Sequence, residues 1–160
     1  MNSRAIIIAA ATAATLSVAG LLGYQWLSAG DDMALRPDDP GYVARGQELY
    51  QTACASCHGA KLEGQANWRE RGPDGLLPAP PHDPSGHTWH HPNDVLFNLT
   101  KFGVAPYAGP DYRSAMPAFE NKLSDDDIIA ILSFIKSTWP AEIRRRHDAI
   151  NEASRNQQHG

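Results

Sequence analysis

Residues 54–58 contain the feature that most restricts how this chain can fold. Cys54 and Cys57 are the only cysteines among 160 residues, and His58 directly follows the second of them. A C-x-x-C-H sequence can be a redox dithiol, part of a zinc site or an attachment site for haem. Because each alternative needs different partners and a different surrounding fold, the rest of the sequence has to decide between them.

The zinc and dithiol interpretations lack the partners that they need. A structural zinc site takes four ligands, usually from two cysteine pairs or from one pair and two histidines. The chain has no second cysteine pair, and histidines elsewhere would leave the role of His58 unexplained. A thioredoxin-type dithiol follows a strand of a βαβ unit, and no segment shows convincing strand alternation. A disulfide across two residues would close too small a loop to stabilise the chain much.

Haem attachment uses all three residues. On a helical turn, Cys54, Cys57 and His58 occupy positions i, i+3 and i+4, which share one face. Two thiols on that face can form thioethers to one porphyrin, and the imidazole is then held over the iron as proximal ligand. The spacing therefore favours one covalently bound haem c, with its iron, as the cofactor.

The first 30 residues differ in character from the remainder. Residues 5–30 carry no charged side chain and are almost wholly apolar, with Arg4 before them and Asp31 after them. Such a segment is long enough to span a bilayer. The small residues at 28–30 also suit a signal-peptide cleavage site. We interpret residues 1–30 as a signal peptide or an N-terminal membrane anchor.

Both interpretations of the N-terminal segment predict export. The positive charge before the apolar run and the negative charges after it place the rest of the chain outside the cytoplasm. The protein is then either anchored on the periplasmic side of a bacterial inner membrane or soluble in the periplasm. Export also supports haem attachment, which takes place outside the cytoplasm.

The rest of the chain divides by composition. Residues 31–39 are polar, contain Pro37 and indicate a linker. Residues 40–139 indicate a folded domain, and residues 140–160 a polar tail with room for one short helix. Twelve prolines and thirteen glycines predict long ordered loops. The net charge of −4 argues against nucleic acid as a partner and favours protein surfaces.

Three segments of the domain predict helices. Pro40 can begin the first. Asn93 is a candidate N-cap for a short second helix that ends at Gly103. Ser124 and Asp127 form a predicted capping box for the clearest helix, which Pro140 ends. In the first helix, Gly46 shares a face with Tyr50. This glycine either allows another helix to approach closely or is merely tolerated.

Met116 is the candidate for a second iron ligand. The other methionines, Met1 and Met33, precede the domain. Met116 lies in the sequence SAMPAF, a proline-bearing loop before the clearest helix. A loop can present a thioether to the iron, and this soft ligand favours the ferrous state and raises the potential relative to two imidazoles. An ordinary core methionine is the alternative.

Taken together, these motifs resemble the class I mono-haem c-type cytochromes. The matching segments are Arg45-Gly46-x-x-x-Tyr50, CASCHG, MPAF and LSDDDIIAILSFIKS, in the family's order, and they span about residues 40–139. The resemblance implies an all-α class I cytochrome c fold, in which the first and last helices cross at the haem edge. Gly46 and Tyr50 would there meet Ile131 and Phe134.

The resemblance also implies supporting residues around the haem. A proline carbonyl should accept a hydrogen bond from the proximal imidazole, and Pro80 is preferred over Pro78 and Pro81. Trp89 stands where the family often has a tryptophan that donates to a haem propionate. The implied function is one-electron transfer in a periplasmic redox chain, by a carrier that is not an enzyme. Its partners would be redox proteins, met transiently or within an oxidoreductase complex, and the membrane.

Two alternatives remain open at this stage. One is a haem enzyme or sensor whose iron keeps an open coordination site. The other is an additional copper or zinc site in the histidine-rich loop, with candidate ligands His82, His87, His90 and His91. Prolines and a glycine in that loop make a regular ligand spacing doubtful, and the competing interpretation is a polar loop near the propionates.

Overall fold

The computed structural model describes residues 33–109 and 111–158. Regular structure in these two ranges is entirely helical, which confirms the predicted all-α class. No helix in the described ranges is both long and apolar enough for a bilayer span. The apolar segment at residues 1–30 lies outside the described residues, so its interpretation as anchor or signal peptide stays a prediction.

Long loops separate the helices, as the proline and glycine content predicts. The helices are α1 (Pro40–Ala53), α2 (Ala55–His58), α3 (Asn93–Phe102), α4 (Ala105–Ala108), α5 (Asp125–Ser137) and α6 (Ala141–Gln158), with a 3₁₀ turn at Thr88–His90. The segment between residues 59 and 87 has no helix, and its first residues are bound to the end of α1 by Tyr50 and Gln51.

The crossing of α1 and α5 organises the core. A Cβ atom on Gly46 would lie 2.0 Å from the carbonyl oxygen of Ala130 and 2.9 Å from Cβ of Phe134. One turn later, the ring of Tyr50 packs against that of Phe134 with centroids 5.5 Å apart. Gly46 is therefore a close-approach residue rather than a tolerated one. The helix that crosses α1 is not the last, because α6 follows it.

Apolar residues from several elements form one buried cluster beside this crossing. Its members are Tyr50, Leu62, Leu96, Phe97, Ile128, Ile129, Ile131, Leu132, Phe134, Ile135 and Trp139. At the outer end of the crossing, Arg45 pairs with Asp126 and Asp127, each at 2.6 Å. The apolar stripe of α5 thus faces the core while its acidic first turn binds α1.

Local side-chain caps begin the two helices that cross, α1 and α5, but not α3. Ser124 and Asp127 form the predicted capping box of α5, with hydrogen bonds in both directions. Asn93, however, is the first residue of α3 and not its N-cap. Its backbone N–H donates to Oδ1 of Asn151, a side chain from α6, at 2.7 Å. The cap of α3 is therefore tertiary, and no local pattern could have revealed it.

Residues 140–160 form more structure than the sequence predicts. Helix α6 runs for 18 residues, and its His147 is fully buried. Nε2 of His147 donates to the carbonyl oxygen of His91 at 3.0 Å. Although Ile143 packs against the apolar core, the buried residues of α6, His147 and Asn151, are polar, so the hydrophobic pattern that normally indicates a packed helix is weak.

The residues ahead of α1 are also packed against the domain. Met33 and Leu35 contact the apolar core, and the backbone N–H of Arg36 donates to Oγ of Ser133 at 2.8 Å. Both carboxylate oxygens of Asp38 accept hydrogen bonds from the guanidinium of Arg144 in α6. From residue 33 onward, the segment interpreted as a linker is therefore held in place.

Candidate haem site

The C-x-x-C-H sequence forms one tight helical turn directly after α1. The N–H groups of Cys57 and His58 both donate to the carbonyl oxygen of Cys54, at 3.1 and 2.9 Å. This bonding places the two cysteines and the histidine on one face of the turn, as their spacing predicts. The two sulfurs are not joined in a disulfide.

The two thiols occupy different environments. Cys54 is partly buried and packs against the apolar core, whereas Cys57 is exposed. Burial and, to a smaller extent, the nearby Cys57 together raise the pKa of the Cys54 thiol to about 11. Both sulfurs are thus available as thiols for covalent attachment, one at the core side and one at the surface side of the turn.

The ring of His58 is buried and oriented by the backbone. Only 7% of the residue is exposed, and its Nδ1 lies 2.8 Å from the carbonyl oxygen of Pro80. Since a carbonyl can only accept, Nδ1 carries the proton and Nε2 is left as the nitrogen that can bind a metal. Burial lowers the pKa of His58, against the opposing effect of the Pro80 hydrogen bond. The neutral imidazole is the metal-binding form.

Pro80 and Pro81 lie in a narrow gap between two glycines. A Cβ on Gly64 would lie 2.4 Å from the nitrogen of Pro81, and one on Gly86 would lie 2.0 Å from its carbonyl oxygen. No side chain fits at either position. Gly64 and Gly86 flank the run of prolines in the sequence. This flanking is the signal that could have indicated such close backbone packing.

Leu62 holds the two residues that follow Pro81 through backbone hydrogen bonds. It is buried and adopts the left-handed backbone region, with φ of 68°, which is uncommon for a bulky side chain. Its carbonyl oxygen accepts the N–H groups of His82 and Asp83, at 2.8 and 3.2 Å. Such a conformation persists only where the surroundings enforce it, and it lies beside the C-x-x-C-H turn.

His82 lies directly on the proximal histidine. The rings of His58 and His82 stack with centroids 4.1 Å apart and planes inclined by 22°. Burial lowers the pKa of His82 well below its usual value, and the neighbouring His58 and His87 lower it further. His82 was considered in the sequence only as a ligand of a separate metal site, so this contact was missed.

The remaining histidines of the loop do not assemble a metal site. His90 packs on Trp89 and His87 stacks on Trp68, with centroids 3.6 and 5.2 Å apart. His87 and His91 meet edge to face at 5.6 Å. Within residues 33–109 and 111–158, no group of three or more histidine, cysteine or acidic side chains could hold a metal ion. The structure therefore does not bring together the candidate copper or zinc ligands.

In the sequence, Trp89 lies in the 3₁₀ turn before α3, and Met116 lies in the loop between α4 and α5. Met116 is partly buried, and its backbone N–H donates to Oγ of Ser114 at 3.0 Å. Trp89 is also partly buried, and its indole N–H makes only a long 3.4 Å contact with the carbonyl oxygen of Pro84. That indole donor could take a stronger acceptor, so the propionate role of Trp89 stays a prediction.

The donor set on the turn fits a covalently bound haem. Two unpaired thiols and a buried imidazole share one face, and the Pro80 carbonyl leaves Nε2 of His58 for the iron. Tyr50 holds the end of the turn, because its hydroxyl donates to the carbonyl oxygen of Gly59 at 2.9 Å. These features agree with a proximal haem site and with neither a zinc site nor a disulfide.

The comparison with protein families gives one match. The family model described as Cytochrome c matches residues 43–139, a range that contains the C-x-x-C-H turn, Pro80 and Met116. No curated protein and no solved structure matches the chain.

Proposed function

The chain belongs to the cytochrome c family, which binds haem c covalently and supports haem-based electron transfer, and we propose that it is a periplasmic one-electron carrier with His58 and Met116 as axial ligands. The observation that carries this proposal is the proximal geometry. A buried imidazole beside two free thiols has its Nδ1 bound by a backbone carbonyl.

A bound haem supplies the one-electron couple between the ferric and ferrous states of its iron. The two cysteines would hold the porphyrin, and Nε2 of His58 would bind the iron. The Pro80 carbonyl fixes the orientation of the His58 ring and increases its basicity, as partners of metal-bound histidines generally do. Met116 provides the second axial ligand in this proposal and closes the opposite face, so that no coordination site remains for a substrate.

The ligation can be tested with Met116→Ala in the haem-loaded protein. The wild-type ferric spectrum should be low-spin and contain the weak band at the red end of the visible range that marks thioether ligation. The variant should lose this band, bind carbon monoxide in the ferrous state and have a lower potential, because the thioether favours ferrous iron. Met33→Ala, which changes another partly buried methionine, should alter none of these.

Two results would contradict the proposed carrier. A wild-type ferric spectrum that is high-spin would indicate an open iron site and favour an enzyme or sensor. An unchanged spectrum in Met116→Ala would exclude this residue as the ligand.

We also propose that residues 1–30 direct the protein to the periplasmic side of the inner membrane and anchor it there if they are not removed. There the carrier would meet redox protein partners through transient contacts or within a complex. Mass spectrometry of the amino terminus after membrane fractionation tests this proposal. An intact terminus in the washed membrane fraction supports an anchor, whereas a terminus near residue 31 in the soluble fraction supports a cleaved signal peptide.

A further inference from the structure

We propose that His82 is a positioning residue for the proximal histidine: its imidazole ring stacks on His58 and, with the Pro80 carbonyl, fixes the plane in which His58 binds iron. This inference rests on the proposed role of His58 as an axial ligand. It assigns to a residue of the histidine-rich loop a role that differs from metal binding.

The two contacts on His58 restrict different motions. The hydrogen bond from Nδ1 to the Pro80 carbonyl holds one edge of the ring at 2.8 Å. A single hydrogen bond still allows the ring to rock about the N–H···O axis, because hydrogen bonds tolerate a broad range of angles at a carbonyl. The face of His82, 4.1 Å away and nearly parallel, blocks this rocking on one side.

His82 can serve this purpose because it is itself held at three points. Its backbone N–H donates to the carbonyl oxygen of Leu62, and its own carbonyl oxygen accepts from Nε1 of Trp139, each at 2.8 Å. Its Nδ1 forms a 2.8 Å hydrogen bond with Oγ1 of Thr88, which is buried. The backbone bonds fix the position of the residue, and the Thr88 bond fixes the rotation of the ring.

The segment that carries both contacts is rigid as a unit. Pro80 supplies the carbonyl and His82 the ring, and Pro81 between them is enclosed by Gly64 and Gly86 without room for a Cβ on either. Tyr50 packs edge-on against the His82 ring, with centroids 6.2 Å apart. Movement of one contact would therefore require movement of the other, so the two act together on His58.

A flat ring is the property that this position requires. A leucine could fill the same space, but its branched surface would contact the His58 ring at points rather than along its plane. Phenylalanine retains the flat face and lacks the nitrogen that binds Thr88. The chain therefore offers a graded series: His82→Phe keeps stacking, Thr88→Val releases the ring rotation, and His82→Leu removes stacking.

The test uses the haem-loaded ferric protein, in which the haem-methyl proton shifts and the electron paramagnetic g values depend on the orientation of axial ligand planes. His82→Phe should keep the wild-type order of methyl shifts. His82→Leu should change their order or spread, and Thr88→Val should shift them in the same direction by less. His87→Leu is the matched control, since His87 is an exposed histidine of the same loop and its ring stacks on Trp68. It should leave both readouts unchanged.

The outcomes separate positioning from packing. If His82→Leu lowers thermal stability but leaves the methyl shifts and g values at wild-type values, His82 is only a core residue and the proposal is overturned. If His82→Leu fails to bind haem, the other two variants decide. Small shifts in the same direction in Thr88→Val and His82→Phe, which both lose the Thr88 hydrogen bond, support the proposal, whereas unchanged signals in both overturn it. Failure of the carrier function would instead appear in the wild-type spectrum.

Discussion

The two cysteines of the C-x-x-C-H turn have the same expected role but differ in burial. Cys54 contacts the apolar core and Cys57 faces solvent. If both form thioethers in the haem-loaded protein, as we propose, each replacement removes one covalent link. The difference in burial nevertheless gives the two positions different effects on stability.

We predict that Cys54→Ser destabilises the haem-loaded protein more than Cys57→Ser, by about 1–2 kcal/mol, because a hydroxyl at the buried position loses its solvation. Both variants should show the alkaline pyridine spectrum of a haem with one thioether. Urea unfolding followed by haem absorbance measures the difference. Equal losses of stability would contradict the burial argument.

Another buried residue, His147, makes stability depend on pH. Burial and, to a smaller extent, the nearby Lys136 together lower its pKa from 6.5 to about 4. Between these values the unfolded chain binds a proton that the folded protein does not, so the free energy of unfolding falls as pH falls from about 6.5 to about 4. One such group contributes a slope of up to about 1.4 kcal/mol per pH unit.

His147→Gln should remove this contribution while keeping a donor for the His91 carbonyl. The stability difference between wild type and variant should therefore shrink or reverse from pH 7 to pH 5, because the glutamine does not titrate. Because the other histidines are common to both proteins, their contributions to the pH dependence of stability cancel in this difference. A difference that stays constant over the range would show that His147 is not buried as a neutral group.

At the scale of elements, the α1–α5 crossing depends on one missing side chain. The Cβ position of Gly46 is filled by the backbone carbonyl of Ala130, and a backbone atom cannot move aside as a flexible side chain can. Helices cross this closely only where a small residue allows it, and this proximity brings Tyr50 against Phe134.

Gly46→Ala should therefore lower the free energy of unfolding by about 3 kcal/mol, since overpacking forces the helices apart. Thermal unfolding of the haem-loaded protein provides the measurement. Gly41→Ala, in the first turn of the same helix, should change stability by less than about 1 kcal/mol, because the nearest atom to its Cβ would be the Asp39 side chain. A small effect at Gly46 would mean that the helices can separate without cost.

At the scale of the whole molecule, two segments outside the family match pack onto the domain. The family match begins at residue 43 and ends at residue 139. Beyond these limits, Asp38 binds Arg144, while Asn93 connects the two ends by bonding both Met33 and Asn151. Residues 33–39 and α6, which we call the collar, thus bind the start of α3, and His147 of α6 binds the histidine-rich loop at His91.

Deleting residues 141–160 should lower the stability of the haem-loaded protein by roughly 2–3 kcal/mol. The ammonium of Lys136 is buried, and it would lose Asp148, its ion-pair partner. Hydrogen exchange of residues 88–93 should accelerate, since His91 and Asn93 lose partners in α6. A chain that ends at Asn151 keeps these contacts and should resemble wild type. Equal exchange in both truncated chains would show that the collar does not support the loop.

The predictions that came directly from sequence rest on short-range chemistry. The C-x-x-C-H spacing, the Ser124 capping box and the glycine stop of α3 involve residues within about one helical turn of each other. At that range, backbone geometry alone decides which side chains meet. The all-helical class and the covalent haem c follow from the same kind of pattern.

The sequence by itself therefore determined the covalent haem motif and the helical class, because those depend on local spacing. Only the tertiary structure decided that Gly46 is a helix contact, that His82 stacks on His58, and that residues 141–158 form a packed helix. The physical reason is that these contacts join residues far apart in the chain, and the buried sides of His82 and His147 are polar. Hydrophobic periodicity carries no signal for a polar group that is buried because a distant partner satisfies it.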